Sequence, residues 1–494
     1  MSIDPASVAL DRRKGVWPAM HHRRLGQSAA GRLGVLSRLV VRRSAEAWIT
    51  KFAAWDLAPP TALLARTTVT TIKPARPQKS GKSERPRWRV LLLPRSRFTE
   101  DALGALERID SLSISMLPRK TVKAIAAAFL PDEVDDNNYS STSEEAHAAM
   151  RKYRAFLKRF WQHFDPERKF DAVITGNFGY CAERELAAAL EEAGVPFVAL
   201  HKENMWSEGT QSFWEKVYRE RKGPFLGRRI LVYSPIQRDM QIRAGIADAS
   251  RIEVVGMPRL DEVHEWRQGN IGLVPNPAVL FVSFHPDVGM PVLRPDSGFL
   301  QGRGEYVLLD ERPAGSNLDS LCRSAHRAMV DLARSAPDIT VLVKSKGRDR
   351  DRAILNELLG VTDESELPRN LRVFMAGSPL PLLFQASVVC GLHSTLLIEA
   401  LAAGRPVVVP WFDEVLDPAI SRYVFDLGEA VTRVGSREAL IDKVRELALV
   451  RTPVPAELPP ETLHVLREWV GNEDGQAGER TAAAILRVLE TGRG

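Results

Sequence analysis

The sequence predicts an α/β protein built from two doubly wound parallel sheets, and three observations carry that expectation. Short apolar runs alternate with helical patterns from Trp88 to Leu449, as repeated βα units require. The alternation pauses near 264–276 and then restarts, so two units of the same kind follow one another. At 494 residues the chain exceeds one comfortable core and suits two domains with extensions.

The first unit, placed at 88–265, opens with the apolar run Trp88 to Pro94. Further strands are expected at Ser111–Leu117, Ala172–Thr175, Phe197–His201, Ile230–Tyr233 and Ile252–Val255. Helical spacing lies between them over Ala146–Phe164, Tyr180–Ala193 and Pro235–Ala244. The second unit, 276–450, restarts at Ala278–Ser283 and runs through a Pro- and Gly-rich loop at 285–312. A helix over Leu318–Ser335, strands at Thr340–Val343 and Leu371–Phe374, and a helix over Arg437–Leu449 follow. A helical segment, 451–494, completes the chain, with its last helix near Arg480–Leu489.

The most informative stretch is Gly391 to Pro410. The run Ala386–Cys390 reads as a buried strand, Ser394 and Thr395 sit where a helix begins, and Gly404 and Pro406 end it before the strand Val407–Pro410. A helix start offers free N–H groups and a positive dipole end to an anion. The two hydroxyls add donors, and Glu399, one turn on, can accept from sugar hydroxyls. An ordinary capped crossover helix is the structural alternative.

Composition excludes several classes. The hydrophobic and charged fractions are those of a globular chain. Cys181, Cys322 and Cys390 lie far apart, without metal spacing or a disulfide pattern. No apolar run approaches a membrane span, and no leader pattern opens the sequence. Ser80-Gly81-Lys82-Ser83 lacks the upstream glycine and strand of a P-loop. No nucleic-acid module is recognisable.

Residues 1–87 differ from the rest and read as a basic extension and linker. Leu33, Leu36, Leu39 and Val40 share a helical face beside Arg32, Arg38 and Arg42, so residues 1–45 read either as a helix on an anionic membrane or as a solvated extension. A transit peptide is a third reading, opposed by Asp4 and Asp11.

Ligands of open α/β sheets bind beyond the carboxyl ends of strands. That rule selects Arg95, Arg97, Gly176, Asn177, His201, Lys202, Glu203, Asn204 and Ser234 in the first unit. In the second it selects Ser283, His285, Lys344, Lys346, His393, Ser394, Thr395 and Glu399. No Asp-x-Asp follows a strand, so metal-free stabilisation of a leaving diphosphate by lysines, hydroxyls and a helix end is expected.

The Gly391–Pro410 segment resembles the donor site of GT-B-fold glycosyltransferases. Val254-Val255-Gly256-Met257-Pro258-Arg259-Leu260-Asp261 is similar to the Gly-x-Pro-x-x-Asp that closes the N-terminal half in several of those families. The turn His201-Lys202-Glu203-Asn204 resembles the His-containing turn that capsule sugar transferases and CDP-glycerol glycerophosphotransferases often carry at this point, where a base, Glu203 or His201 here, would deprotonate the acceptor hydroxyl. Lys344-Ser345-Lys346 departs from the Lys-x-His-Pro found there.

The resemblance implies a GT-B-like pair of Rossmann-type domains, an acceptor half and a nucleotide-donor half, bridged by the last helix. It implies transfer from a nucleotide-activated donor to a saccharide or lipid-linked acceptor in bacterial surface polysaccharide synthesis. No cofactor, metal or nucleic acid is expected, and the location expected is the cytoplasm, including the inner membrane face. His201 and Glu203 are the expected catalytic pair. Ser283, His285, Lys344, Lys346, His393, Ser394, Thr395 and Glu399 are expected on the donor, and Arg97 and Asn177 on the acceptor. A nucleotide-sugar epimerase of the same fold is the alternative enzyme, although those carry Asp-Ser-Gly-Gly where this chain has Leu392-His393-Ser394-Thr395. A non-catalytic carbohydrate-binding scaffold is the other alternative.

Overall fold

The structure is a computed structural model that describes residues 45–73, 88–95, 98–136, 138–140, 143–201, 205–291, 316–347 and 351–492. The basic segment 1–44 and most of the expected 285–312 loop lie outside the described residues.

Two helices, α1 (45–54) and α2 (Ala58–Thr67), precede an edge strand, β1 (Thr70–Lys73). The first βα series is β2 (Trp88–Leu92), α3 (Phe98–Leu106), β3 (Leu112–Met116), α4 (Arg119–Ala126), α5 (Glu144–Phe164) and β4 (Ala172–Thr175). It continues with α6 (Cys181–Glu192), β5 (Phe197–His201), α7 (Glu208–Val217), β6 (Arg229–Val232), α8 (Pro235–Arg243), β7 (Ile252–Val254) and α9 (Leu260–Gly269). The sheet order is β1-β3-β2-β4-β5-β6-β7, parallel except for β1. Residues 45–73, expected as part of an extension, thus join the first domain. Lys73 fixes the edge by donating to the carbonyls of Leu106, Glu107 and Ile109 at 2.7–3.3 Å, a cation at the end of α3.

The second series is β8 (Ala278–Val282), α10 (Asp319–Ser335), β9 (Thr340–Lys344), α11 (Arg352–Leu359), β10 (Leu371–Phe374), α12 (Leu380–Gln385) and β11 (Val388–Gly391). Then come α13 (Thr395–Ala402), β12 (Val407–Pro410), α14 (Pro418–Ser421), β13 (Thr432–Val434) and α15 (Arg437–Val450). Its six parallel strands run β10-β9-β8-β11-β12-β13, the strand order of a dinucleotide-binding sheet. The strands are apolar on both faces, as helix-covered parallel strands must be; β8, β11 and β12 are buried throughout. The architecture is therefore the expected pair of Rossmann-like domains.

The chain crosses between the halves twice. After α16 (Pro460–Val470), α17 (Ala477–Thr491) returns to pack on α3 of the first domain. Asp261 anchors that return. Its carboxylate accepts from the amides of Ala477 and Gly478, from Asn472 and from Arg108 at 2.8–3.2 Å. The Gly-x-Pro-x-x-Asp motif is thus a structural joint. The crossings touch at Gly256 and Gly471, both at positive φ. A Cβ on Gly256 would run into the Gly471 carbonyl, and one on Gly471 into the Tyr233 carbonyl. Across the interface Trp266 stacks on Phe384, with centroids 4.3 Å apart and planes 5° from parallel.

Candidate functional site

In each sheet the strand order reverses at one point, between β2 and β4 and between β8 and β11. Such a switch point opens a crevice beyond the strand ends. A cleft of about 690 Å³ lies between the halves. On the second-domain side it is lined by Val282 at the end of β8, by Lys344 to Lys346 after β9, and by Ser394, Thr395 and Glu399 on α13. On the first-domain side it is lined by Glu100 and Asp101 of α3, by Arg108 just after it, and by Arg259, Glu262 and Glu265 around α9. One wall is therefore rich in cations and hydroxyls and the other in carboxylates.

The start of α13 is built as the sequence implies. Ser394 is the N-cap, and its Oγ accepts from the Leu396 amide at 3.3 Å. Ser394 is buried and Thr395 half-buried at the cleft. Gly391 is required just before them, because a Cβ there would come within 3.0 Å of Val282. Lys344 is buried with its Nζ donating to the Ser345 carbonyl at 2.6 Å and to that of Met375 at 3.5 Å, while Lys346 is exposed.

Glu399, also buried, faces Arg259 at 3.5 Å. Arg259 in turn donates to Asp101 Oδ2 at 3.1 Å, and Tyr233 donates to the same oxygen at 2.6 Å. Burial alone would lower the Arg259 pKa; Asp101 and Glu399 together raise it instead. Asp101 is fully buried, and burial raises its carboxyl pKa against the pull of Arg259 and Tyr233. Its Oδ1 has no hydrogen-bond partner among the described residues. Glu262 is also pushed up, first by desolvation and then by Glu265, Glu399 and Glu100.

The expected residues divide. Lys344, Lys346, Ser394, Thr395 and Glu399 come together in the cleft. Ser283, His285 and His393 lie beside the same strand ends but do not line it. Ser283 is engaged by His326: His326 Nδ1 bonds the Cys322 carbonyl at 2.7 Å, so its Nε2 accepts from the Ser283 hydroxyl at 2.8 Å. Burial depresses the His326 pKa to about 4, which keeps that acceptor nitrogen unprotonated. His285 is exposed, its Nδ1 accepting from the Asp287 amide at 3.2 Å. His393 packs on Phe425 at 3.5 Å between centroids, and burial, then Lys346 and His285, lower its pKa to about 3.

In the first domain His201 ends β5, fully buried, with its ring 4.9 Å from that of Phe178. It does not line the cleft. A strand buried on both faces need not turn its terminal side chain to the crevice, and here the ring packs on Phe178 in the turn after β4. Asn177 accepts from the Gly179 amide at 2.7 Å and shapes a turn away from the cleft lining. Arg97, Lys202, Glu203 and Asn204 lie outside the described residues.

Sequence reasoning missed Asp101, Arg259 and Glu262. Asp101 was accessible to the strand-end rule, since it stands in the first turn of the helix after β2. Arg259 lay inside a motif read only as a domain boundary. Among the described residues no group of three or more His, Cys, Asp or Glu is placed to hold a metal ion. No helix among them is long and apolar enough to cross a membrane.

No protein-family model matches the sequence, and no curated protein matches it. Solved structures of similar fold include the UDP-GlcNAc 2-epimerase of Methanocaldococcus jannaschii, with 12% identity over 81% of this chain and 99% of that one, TM-score 0.45. A glycosyltransferase from Rickettsia africae shares 10% identity over 82% and 99%, TM-score 0.43. A variant of a wall teichoic acid polymerase shares 8% over 92% and 98%, TM-score 0.46. Each of these is a likeness of fold.

Proposed function

We propose that the protein is a glycosyltransferase, or a related phosphotransferase, that takes a nucleotide-activated donor in bacterial surface polysaccharide synthesis. The observation that carries the reading is the meeting of Ser394, Thr395, Lys344 and Lys346 at the β8/β11 switch point, on one wall of the cleft between the halves. An activated donor needs its leaving diphosphate stabilised as the bond to the transferred group breaks. The amides at the start of α13, the Thr395 hydroxyl and the lysines supply positive charge and donors there without requiring a metal. Glu399, one turn further, accepts from ribose or sugar hydroxyls.

The acceptor, a saccharide or lipid-linked saccharide, lies against the carboxylate wall. Its hydroxyl loses a proton as it attacks the anomeric carbon or phosphorus. Asp101 suits that step: its free Oδ1 can take the proton, and its raised pKa makes it a better base than an ordinary aspartate. It takes the role that the sequence suggested for His201.

Melting curves with CMP, CDP, UDP and GDP test the donor site. One nucleotide is expected to raise the melting temperature, and replacement of Thr395 by Val to reduce that rise. A panel of nucleotide sugars then separates activities: transfer releases nucleotide, whereas epimerisation leaves it attached and changes the sugar. If no nucleotide shifts the melt, the donor assignment fails.

A further inference from the structure

We propose that the outer face of α1 and α2 is a docking surface for an anionic lipid bilayer, with the protein lying on the membrane rather than through it. No residue of α1 or α2 lines the cleft, and the inference does not rest on the donor assignment. Trp48 and Trp55 are 47% and 61% exposed, and Leu57 and Leu63 are 42% and 65% exposed. Single exposed apolar residues are ordinary; two tryptophans and two leucines within sixteen residues are not.

The spacing makes a face. Trp48 and Lys51 on α1, and Trp55 in the turn that follows it, recur at three and four residues. The other side of α1, Ile49 and Ala53, is buried against the α5 layer. The short helix is thus apolar on both sides, which an aqueous surface does not favour. Phe52 joins the aromatic surface, 5.5 Å from Trp48 and 6.2 Å from Trp55 between centroids. Lys51 lies over the Trp48 ring at 4.9 Å, a cation placed where a headgroup phosphate would meet it. Tryptophan suits that depth, with an apolar ring body and a polar N–H.

Charge selects the occupant. Residues 1–44 carry nine Lys and Arg against two Asp, and they run directly into α1. The whole chain is +6, so residues 45–494 carry one net negative charge. All of the positive excess therefore precedes α1 in the sequence. An apolar face beside a polybasic segment matches an anionic membrane, in which rings enter the interface and cations meet headgroups. A second copy of this chain would bring a second polybasic sequence of the same sign.

The test is co-sedimentation of the full-length protein with vesicles of phosphatidylcholine alone and of phosphatidylcholine with phosphatidylglycerol. Binding to the anionic vesicles and not to the neutral ones is expected. The W48S/W55S/L57S/L63S variant should bind about tenfold or more weakly, while I354S/L416S, at exposed positions elsewhere, should bind as the parent does. All four changes are at the surface, and circular dichroism checks that the variant is folded. Equal sedimentation of the four-serine variant, or none of the parent, overturns the proposal. So does a dimer in light scattering that the four serines dissolve while the parent ignores vesicles. Nucleotide-dependent melting of the same variant should be unchanged, so failure here is separable from failure of the donor site.

Discussion

Arg259, on the first-domain wall, lies 3.5 Å from the Glu399 carboxylate of the second. The same guanidinium holds the buried Asp101. One cation therefore couples a candidate base to a candidate ligand residue across the cleft. Removing it as Arg259→Met leaves Asp101 buried without its ion partner, at an expected cost of about 3–5 kcal/mol in chemical denaturation. The loss should shrink as pH falls, because burial raises the Asp101 pKa and protonation removes the unpaired charge. A loss that does not vary with pH would mean that Asp101 is not charged in the parent.

Asp101→Asn keeps acceptors for Tyr233 and Arg259 but removes the base. Turnover is expected to fall by about 10²–10⁴-fold with nucleotide affinity retained. Full turnover in this variant would move proton transfer to Glu262 or to Glu203.

The hydroxyls of Ser394 and Thr395 have separable roles. Thr395→Val should weaken donor binding by about 1.5–3 kcal/mol with little change in melting. Ser394→Ala also removes a helix cap and should cost about 1 kcal/mol of stability besides. Glu399→Gln should weaken binding more than it lowers the melting temperature. Calorimetric titration beside thermal melts gives both axes; intact binding in all three variants would place the nucleotide elsewhere.

His201 is packed rather than presented, so His201→Ala should behave as a core truncation. A loss of about 2–4 kcal/mol in stability is expected, with nucleotide binding intact. A variant of parental stability that fails only in turnover would restore the residue to chemistry.

His326 sets an acid limit. The unfolded chain takes up its proton near pH 6.5, whereas the folded one resists until about pH 4. Stability conferred by the neutral ring is full above pH 6.5 and falls as pH drops through that window, by about 3 kcal/mol in all. His326→Gln should flatten this part of the pH profile in urea unfolding, while an unchanged slope would assign it to other groups.

Much of the fold was legible because parallel strands leave a strong signature. The strands at 172–175, 197–201, 371–374 and 407–410 stand where their apolar runs predict them. β1 was not legible: Thr70 to Lys73 is short, exposed and held to an edge by contacts distant in sequence. β13, Thr432–Val434, is shorter still. The start of α13 was legible because a cap, a glycine and a proline punctuate it locally. The opposite wall was not, since Asp101 and Arg259 are brought to the cleft by tertiary packing alone. His201 shows the limit of the strand-end rule, which locates a residue along a strand but does not choose the side its ring takes.

The contact of Gly256 with Gly471 bears on how firmly the end of the chain is held to the first domain. Backbone meets backbone there, and the Met257 amide donates to the Val470 carbonyl at 2.9 Å while Asn472 donates to the Met257 carbonyl at 2.9 Å. The pair works as a clasp that closes only because neither position carries a side chain. An alanine at either position would force the two segments apart, without altering any group that lines the cleft.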